Sequence, residues 1–112
     1  PVMNAELMRR AFEFSKMLNV PIAQHAEDLN LSHGGCINEG KISTKLGVAG
    51  IPNISESVIV ARDVQIAEYT GGHYHVLHVS AKESLDAIRA AKKRGVSVTC
   101  EVSPHHFSLT DE

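Results

Sequence analysis

Apolar residues at Leu7, Ala11, Phe14 and Leu18 are spaced four, three and four apart, which puts them on one stripe of a helix over about 5–18. Asn4 stands where an N-cap belongs and Asn19 where the helix should stop. The run Val20-Pro21-Ile22-Ala23-Gln24-His25 then reads as a short buried strand over about 20–25, with Pro21 tolerable near its start. From 29 to 53 no period is sustained, and the segment holds Gly34, Gly35, Gly40, Gly47 and Gly50. It reads as an irregular functional loop that orders only against neighbouring structure or a ligand.

Periodicity returns at Asn53-Ile54-Ser55-Glu56, which has the spacing of a capping box, with the Glu56 carboxylate reaching back to the Asn53 N–H. A helix over about 54–70 follows, with Val60, Val64 and Ala67 on one face and Gly71-Gly72 at its end. Tyr74 to Val79 is a β-branched apolar run that predicts a strand over about 74–79. Ser80-Ala81-Lys82-Glu83 repeats the capping-box spacing and predicts a helix over about 81–94. Its apolar stripe is Ala81, Leu85, Ile88 and Ala91; Lys92, Lys93 and Arg94 suit the dipole of its last turn, and Gly95 closes it. Val96 to Val102 alternates apolar and polar residues as a last strand over about 96–102.

Strands alternating with helices call for a parallel sheet. Each strand runs into histidine: His25, His78 and the pair His105-His106. Parallel neighbours lie roughly 4.8 Å apart, so these side chains should leave one sheet edge within reach of a common point. Neutral imidazoles so placed suit zinc. Side chains alternate along a strand, so Tyr74, Val76 and His78 should point one way and His75, Leu77 and Val79 the other, with His78 in the site and His75 toward the helices. A doubly wound open sheet and a (β/α)8 barrel both fit the alternation. No Gly-rich phosphate fingerprint follows a strand, which favours the barrel. A whole barrel needs about 250 residues, so 112 residues would be a part of one, α/β in class.

Composition narrows the function classes. A chain that is 43% hydrophobic has the makings of an ordinary core, and a net charge of −2 offers no electrostatic case for nucleic acid. No apolar run approaches the roughly 20 residues of a membrane span, so the expectation is a cytoplasmic protein without membrane partners. Cys36 and Cys100 lie far apart without CxxC spacing, which suggests neither a disulfide framework nor a thiolate zinc knuckle. The start at Pro1-Val2, without methionine, is consistent with a fragment.

Taken together, His25-Ala26-Glu27-Asp28, Glu39-Gly40, Leu46-Gly47-Val48-Ala49-Gly50-Ile51-Pro52, Glu56 and Ala61-Arg62-Asp63 resemble consecutive signatures of the dihydroorotase family. So do His75-Val76-Leu77-His78-Val79-Ser80, Ala91-Lys92 with Gly95, and Val98-Thr99-Cys100-Glu101-Val102-Ser103-Pro104-His105-His106. The set is similar to the monofunctional bacterial type, within the amidohydrolase superfamily.

That resemblance implies a zinc-dependent (β/α)8 barrel that interconverts dihydroorotate and N-carbamoyl-L-aspartate in pyrimidine biosynthesis. A metal-activated water would attack the ring amide. It implies that His25 and His78 are the zinc ligands of the fifth and sixth barrel strands. The family's first-strand His-x-His pair, bridging carboxylate and catalytic aspartate have no counterpart here, so the resemblance assigns no catalytic residue to this stretch and leaves substrate contacts open. His105 and His106 match the family's Pro-His-His run as supporting residues, and Glu27, Asp28 and Ser80 would support or cap around the ligands. The small-molecule substrate fits the absence of a nucleic-acid or membrane signal. Alternatives are another cyclic-amide hydrolase, an allantoinase or hydantoinase, or a non-catalytic homologue. Alone, the segment should be inactive. Its open sheet edges should drive it into a homo-oligomer or onto the rest of its barrel.

Overall fold

The computed structural model describes residues 1–110. In chain order it holds α1 (Ala5–Leu18), β1 (Pro21–Gln24), β2 (Ile37–Asn38), α2 (Lys41–Leu46), β3 (Gly50–Ile51), α3 (Ile54–Thr70), β4 (His73–Val76), α4 (Lys82–Lys93), β5 (Val98–Cys100) and α5 (His105–Ser108). Strands β1, β4 and β5 form a parallel sheet in that order, with Gln24 opposite Val76 and Val76 opposite Cys100. Among the described residues no helix is long and apolar enough to cross a membrane.

One face of this sheet carries the core. Tyr74 and Val76 of the central strand are fully buried with Val98, against Met8 and Phe12 of α1, Val60, Val64 and Ala67 of α3, and Ile88 and Ala91 of α4. Phe12 meets Tyr74 edge-on, with ring centroids 5.6 Å apart at 77°, the geometry aromatic quadrupoles favour. Gly72 lets α1 approach β4, because a Cβ there would lie 2.6 Å from the Phe12 carbonyl oxygen. The opposite face, away from the core that α1, α3 and α4 cover, holds His73, His75 and Thr99. His75 therefore does not face the helices, contrary to the alternation argument; its Nδ1 lies 2.8 Å from Thr99 Oγ1. Tyr74 and Val76 occupy the helix side, and the register places His75 beside Ala23 and Thr99.

Helix α1 begins and ends where its asparagines imply: Asn4 Oδ1 accepts from Leu7 N at 2.9 Å, and Asn19 adopts a left-handed φ of 54°. Its buried face differs from the expected stripe. Met8, Phe12 and Ser15 are inside, while Leu7, Phe14 and Leu18 are 61%, 57% and 61% exposed and Ala11 is half-buried. Both stripes obey the helical repeat; Ser15 decides between them. Its hydroxyl donates to the Val20 carbonyl at 2.6 Å and accepts from His73 N at 3.0 Å, which fixes the rotation of the helix against the sheet.

Residues 29–53 are not irregular throughout. β2 and β3 pair in parallel around α2, with Ile37 opposite Gly50. Gly50 makes this possible, since a Cβ there would fall 2.5 Å from Glu39 Cα. The main strands are shorter than their apolar runs; beyond β4 and β5 single bonds continue the contact, Leu77 N donating to Gln24 O at 3.1 Å and Val79 N to Glu101 O at 2.9 Å.

Neither expected capping box forms. Asn53 is itself helical and its side chain caps nothing, and the N-cap of α4 is Ala81, with no side-chain bond. The stripe of α4 is close to expectation, with Ala81, Ile88 and Ala91 buried and Leu85 half-buried, but Ser84 is buried with them.

Asp63 of α3 is wholly buried. It accepts from Arg62 Nε at 2.8 Å and from the Gln24 amide, while Arg62 also donates to the Met3 and Val2 carbonyls at 2.7 Å each. Val2 N in turn donates to Gln24 Oε1 at 2.8 Å, so the start of the chain is tied to the end of β1. Burial raises the Asp63 carboxyl above the ordinary carboxylate range, with Arg62 opposing the rise. Burial, and then the nearby Asp63 charge, pushes the Tyr74 phenol well above its usual value.

Two outcomes follow from this packing. Phe12→Ala is expected to cost about 3–5 kcal/mol and Phe14→Ala no more than about 0.5 kcal/mol in urea denaturation of this chain; equal costs would mean that α1 buries the other stripe. Because folding raises the Asp63 pKa, its contribution to stability is complete below the unfolded carboxylate value of about 3.9 and is lost as the pH rises through the folded value. Asp63→Asn should flatten that part of the stability profile, which falls as the pH rises above about 4, and an unchanged profile would show that Asp63 is not its source.

Candidate metal centre

Gln24 and Val76 end adjacent strands in register, so the residues that follow them leave the sheet along one edge. His25 continues the side of β1 that carries Ala23, away from the helices. By alternation His78 would belong with Tyr74 and Val76, inside the core. It escapes because β4 stops at Val76 and because His78 adopts a left-handed φ of 33°. Such a conformation at a non-glycine residue costs on the order of 1–3 kcal/mol and persists only where the surroundings impose it. The turn brings His78 Nε2 to 3.1 Å from His25 Nδ1, with the rings at 63° and their centroids 4.9 Å apart.

His25 is held from its other side. Its Nε2 lies 2.7 Å from Glu27 Oε2, a contact that puts the proton on Nε2 and leaves the Nδ1 lone pair facing His78. The Ser32 hydroxyl first, and His25 second, hold the Glu27 carboxyl below the usual carboxylate range. Asp28 caps its own turn, its Oδ1 accepting from Asn30 N at 2.9 Å.

Two imidazole nitrogens at this separation fit adjacent corners of a tetrahedral zinc site, where bonds of about 2.0–2.1 Å place neighbouring donors roughly 3.3–3.4 Å apart. The convergence stops at two. Among the described residues no group of three His, Cys, Asp or Glu side chains gathers to hold a metal ion. His105 and His106 line the same cleft of about 360 Å³ as His25, Glu27, Glu56 and His78, but they do not complete a ligand set. The reason lies in β5, which ends at Cys100, so that Glu101 to Ser103 carry the chain onward before α5 turns the pair up with their rings 4.1 Å apart. The expected meeting of three strand-end histidines is thus a meeting of two.

Glu56 has a place here that its sequence position concealed. Instead of capping its own helix, its carboxylate accepts from Ser80 N at 3.0 Å, Ser80 Oγ at 2.6 Å and Ala81 N at 3.1 Å. The neighbouring Ser55 carbonyl accepts from Asp28 N at 2.6 Å. Capping-box spacing at Glu56 pointed to the wrong partner, and the family resemblance, which includes Glu56, gave it no partner.

Comparison with known proteins bears on this geometry. A "Dihydro-orotase-like" family model matches residues 1–84. A dihydroorotase of Anaplasma phagocytophilum is 62% identical over 112 residues, covering 99% of this chain and 25% of that protein. One from the Wolbachia of Drosophila simulans is 63% identical over 113 residues, covering 100% and 26%. The chain therefore spans about a quarter of the length of the curated relatives it matches. Among solved structures, a D-hydantoinase (dihydropyrimidinase) from Thermus sp. superposes with a TM-score of 0.76 at 31% identity over 96% of this chain and 24% of its own. An L-hydantoinase from Arthrobacter aurescens, at 21% identity, shows the fold alone, with a TM-score of 0.77 over 98% of this chain and 25% of its own. The layered sheet is accordingly part of a (β/α)8 barrel of the amidohydrolase kind. Matched along its first 84 residues by the family model and along its whole length by these relatives, the chain belongs to the dihydroorotase-like family.

Proposed function

We propose that the complete protein is a zinc-dependent dihydroorotase of the cytoplasm, interconverting dihydroorotate and N-carbamoyl-L-aspartate in pyrimidine biosynthesis, and that His25 and His78 are two of its metal ligands. The observation that carries this is the pair of imidazole nitrogens 3.1 Å apart at the ends of adjacent parallel strands. When bound, zinc would lower the pKa of water and polarise the substrate carbonyl. His25 would offer Nδ1, its ring held by Glu27, and His78 would offer Nε2. The cleft beside them, bordered by His105 and His106, has room for a small cyclic amide. The remaining ligands and the acid–base group would come from the rest of the barrel.

Relatives named dihydroorotase at 52–63% identity favour this substrate over the hydantoins named for the structural neighbours, which are 20–31% identical. Turnover of the complete protein on dihydroorotate, with hydantoin and allantoin as competitors, tests the choice; preference for either competitor would overturn it. In that protein His25→Ala and His78→Ala should each lose bound zinc and bring turnover to background together. The isolated segment should bind zinc weakly and open no dihydroorotate, because a catalytic zinc generally needs three protein ligands and two are present here. Tight stoichiometric zinc binding by the segment in a calorimetric titration would contradict this.

A further inference from the structure

We propose that the first turn of α3 is a clamp that sets the spacing of the two histidines, with Glu56 as the positioning residue for His78. The inference rests on the zinc-ligand reading of His25 and His78 and adds to it a residue that touches neither ring.

Three observations point the same way. The strained φ of 33° at His78 lies between residues whose backbone N–H groups are tied to other elements. Leu77 N reaches β1 at Gln24 O, Val79 N reaches Glu101 O beyond β5, and Ser80 and Ala81 reach the Glu56 carboxylate. On the far side of the ligand pair, Asp28, three residues after His25, donates its N–H to Ser55 O at 2.6 Å. Consecutive residues of one helical turn thus hold the segment that follows each ligand. Third, both Glu56 oxygens are engaged: Oε2 takes Ser80 N at 3.0 Å and the Ser80 hydroxyl at 2.6 Å, and Oε1 takes Ala81 N at 3.1 Å. A carboxylate so occupied serves as an anchor and not as an acid or base, although it borders the cleft. Gln at position 56 would keep one acceptor oxygen and turn an NH2 donor toward N–H groups that need acceptors.

The test is zinc release from the zinc-loaded complete protein, followed by capture with a chromogenic chelator. Glu56→Gln is expected to weaken zinc binding by about 10–100-fold, the range seen when groups that orient metal ligands are lost. Glu68→Gln, which cuts the ion pair of Glu68 Oε2 with Arg94 at 2.9 Å further along α3, should leave it within about twofold. Ser80→Ala removes only the 2.6 Å hydroxyl contact and should speed release by a smaller factor than Glu56→Gln; it decides the matter if Glu56→Gln does not fold. Zinc binding unchanged in Glu56→Gln, or weakened equally by Glu68→Gln, would overturn the clamp, as would unchanged release in Ser80→Ala when that variant alone folds. Retention of zinc by His78→Ala would instead overturn the ligand assignment itself, so the two failures are distinguishable.

Discussion

Burial of one face of β4 is the interaction from which the rest of the structure follows. Tyr74 and Val76 sit at the centre of a sheet whose strands are all parallel, and α1, α3 and α4 close over that face. Once those two side chains point inward, His73 and His75 must point outward, and the chain leaves the sheet at a height set by the register of Gln24 with Val76. Asp63 and Arg62 add a polar peg at the end of β1, where a buried carboxylate would be costly without its charged and amide partners.

Much of this was legible in the chain, and the parts that were not share a cause. The helices α1, α3 and α4 and the order of the strands follow from periodicity, a local property. Which stripe of α1 goes inside does not, because Leu7-Ala11-Phe14-Leu18 and Met8-Phe12-Ser15 satisfy the same repeat, and a hydroxyl bonded across 58 positions chooses between them. The capping boxes failed for a like reason. Spacing shows that Glu56 stands near unpaired N–H groups, yet which N–H groups it meets depends on a turn 24 positions away. The side of the sheet taken by His75 and His78 could not come from alternation alone, since alternation ends where the strand ends and the left-handed turn at His78 reverses its sense.

The site joins rigid and strained parts in one place. Regular ladders deliver His25 and His78 to the same edge, and irregular backbone beyond the ladders turns one ring toward the other. Strain of this sort is held by the anchoring bonds around it, so the approach of the two rings depends on backbone contacts away from them as well as on the Glu27 contact with His25.

The sheet places strands in the order in which the chain makes them, and this has a consequence for how such barrels diversify. Among the described residues the outer edges of β1 and β5 are the unpaired edges of the three-stranded sheet, while the histidine pair, Glu27 and the α3 turn that grips both following segments all lie between those edges. A genetic crossover at these two seams would carry the histidine pair and its supports across as one block.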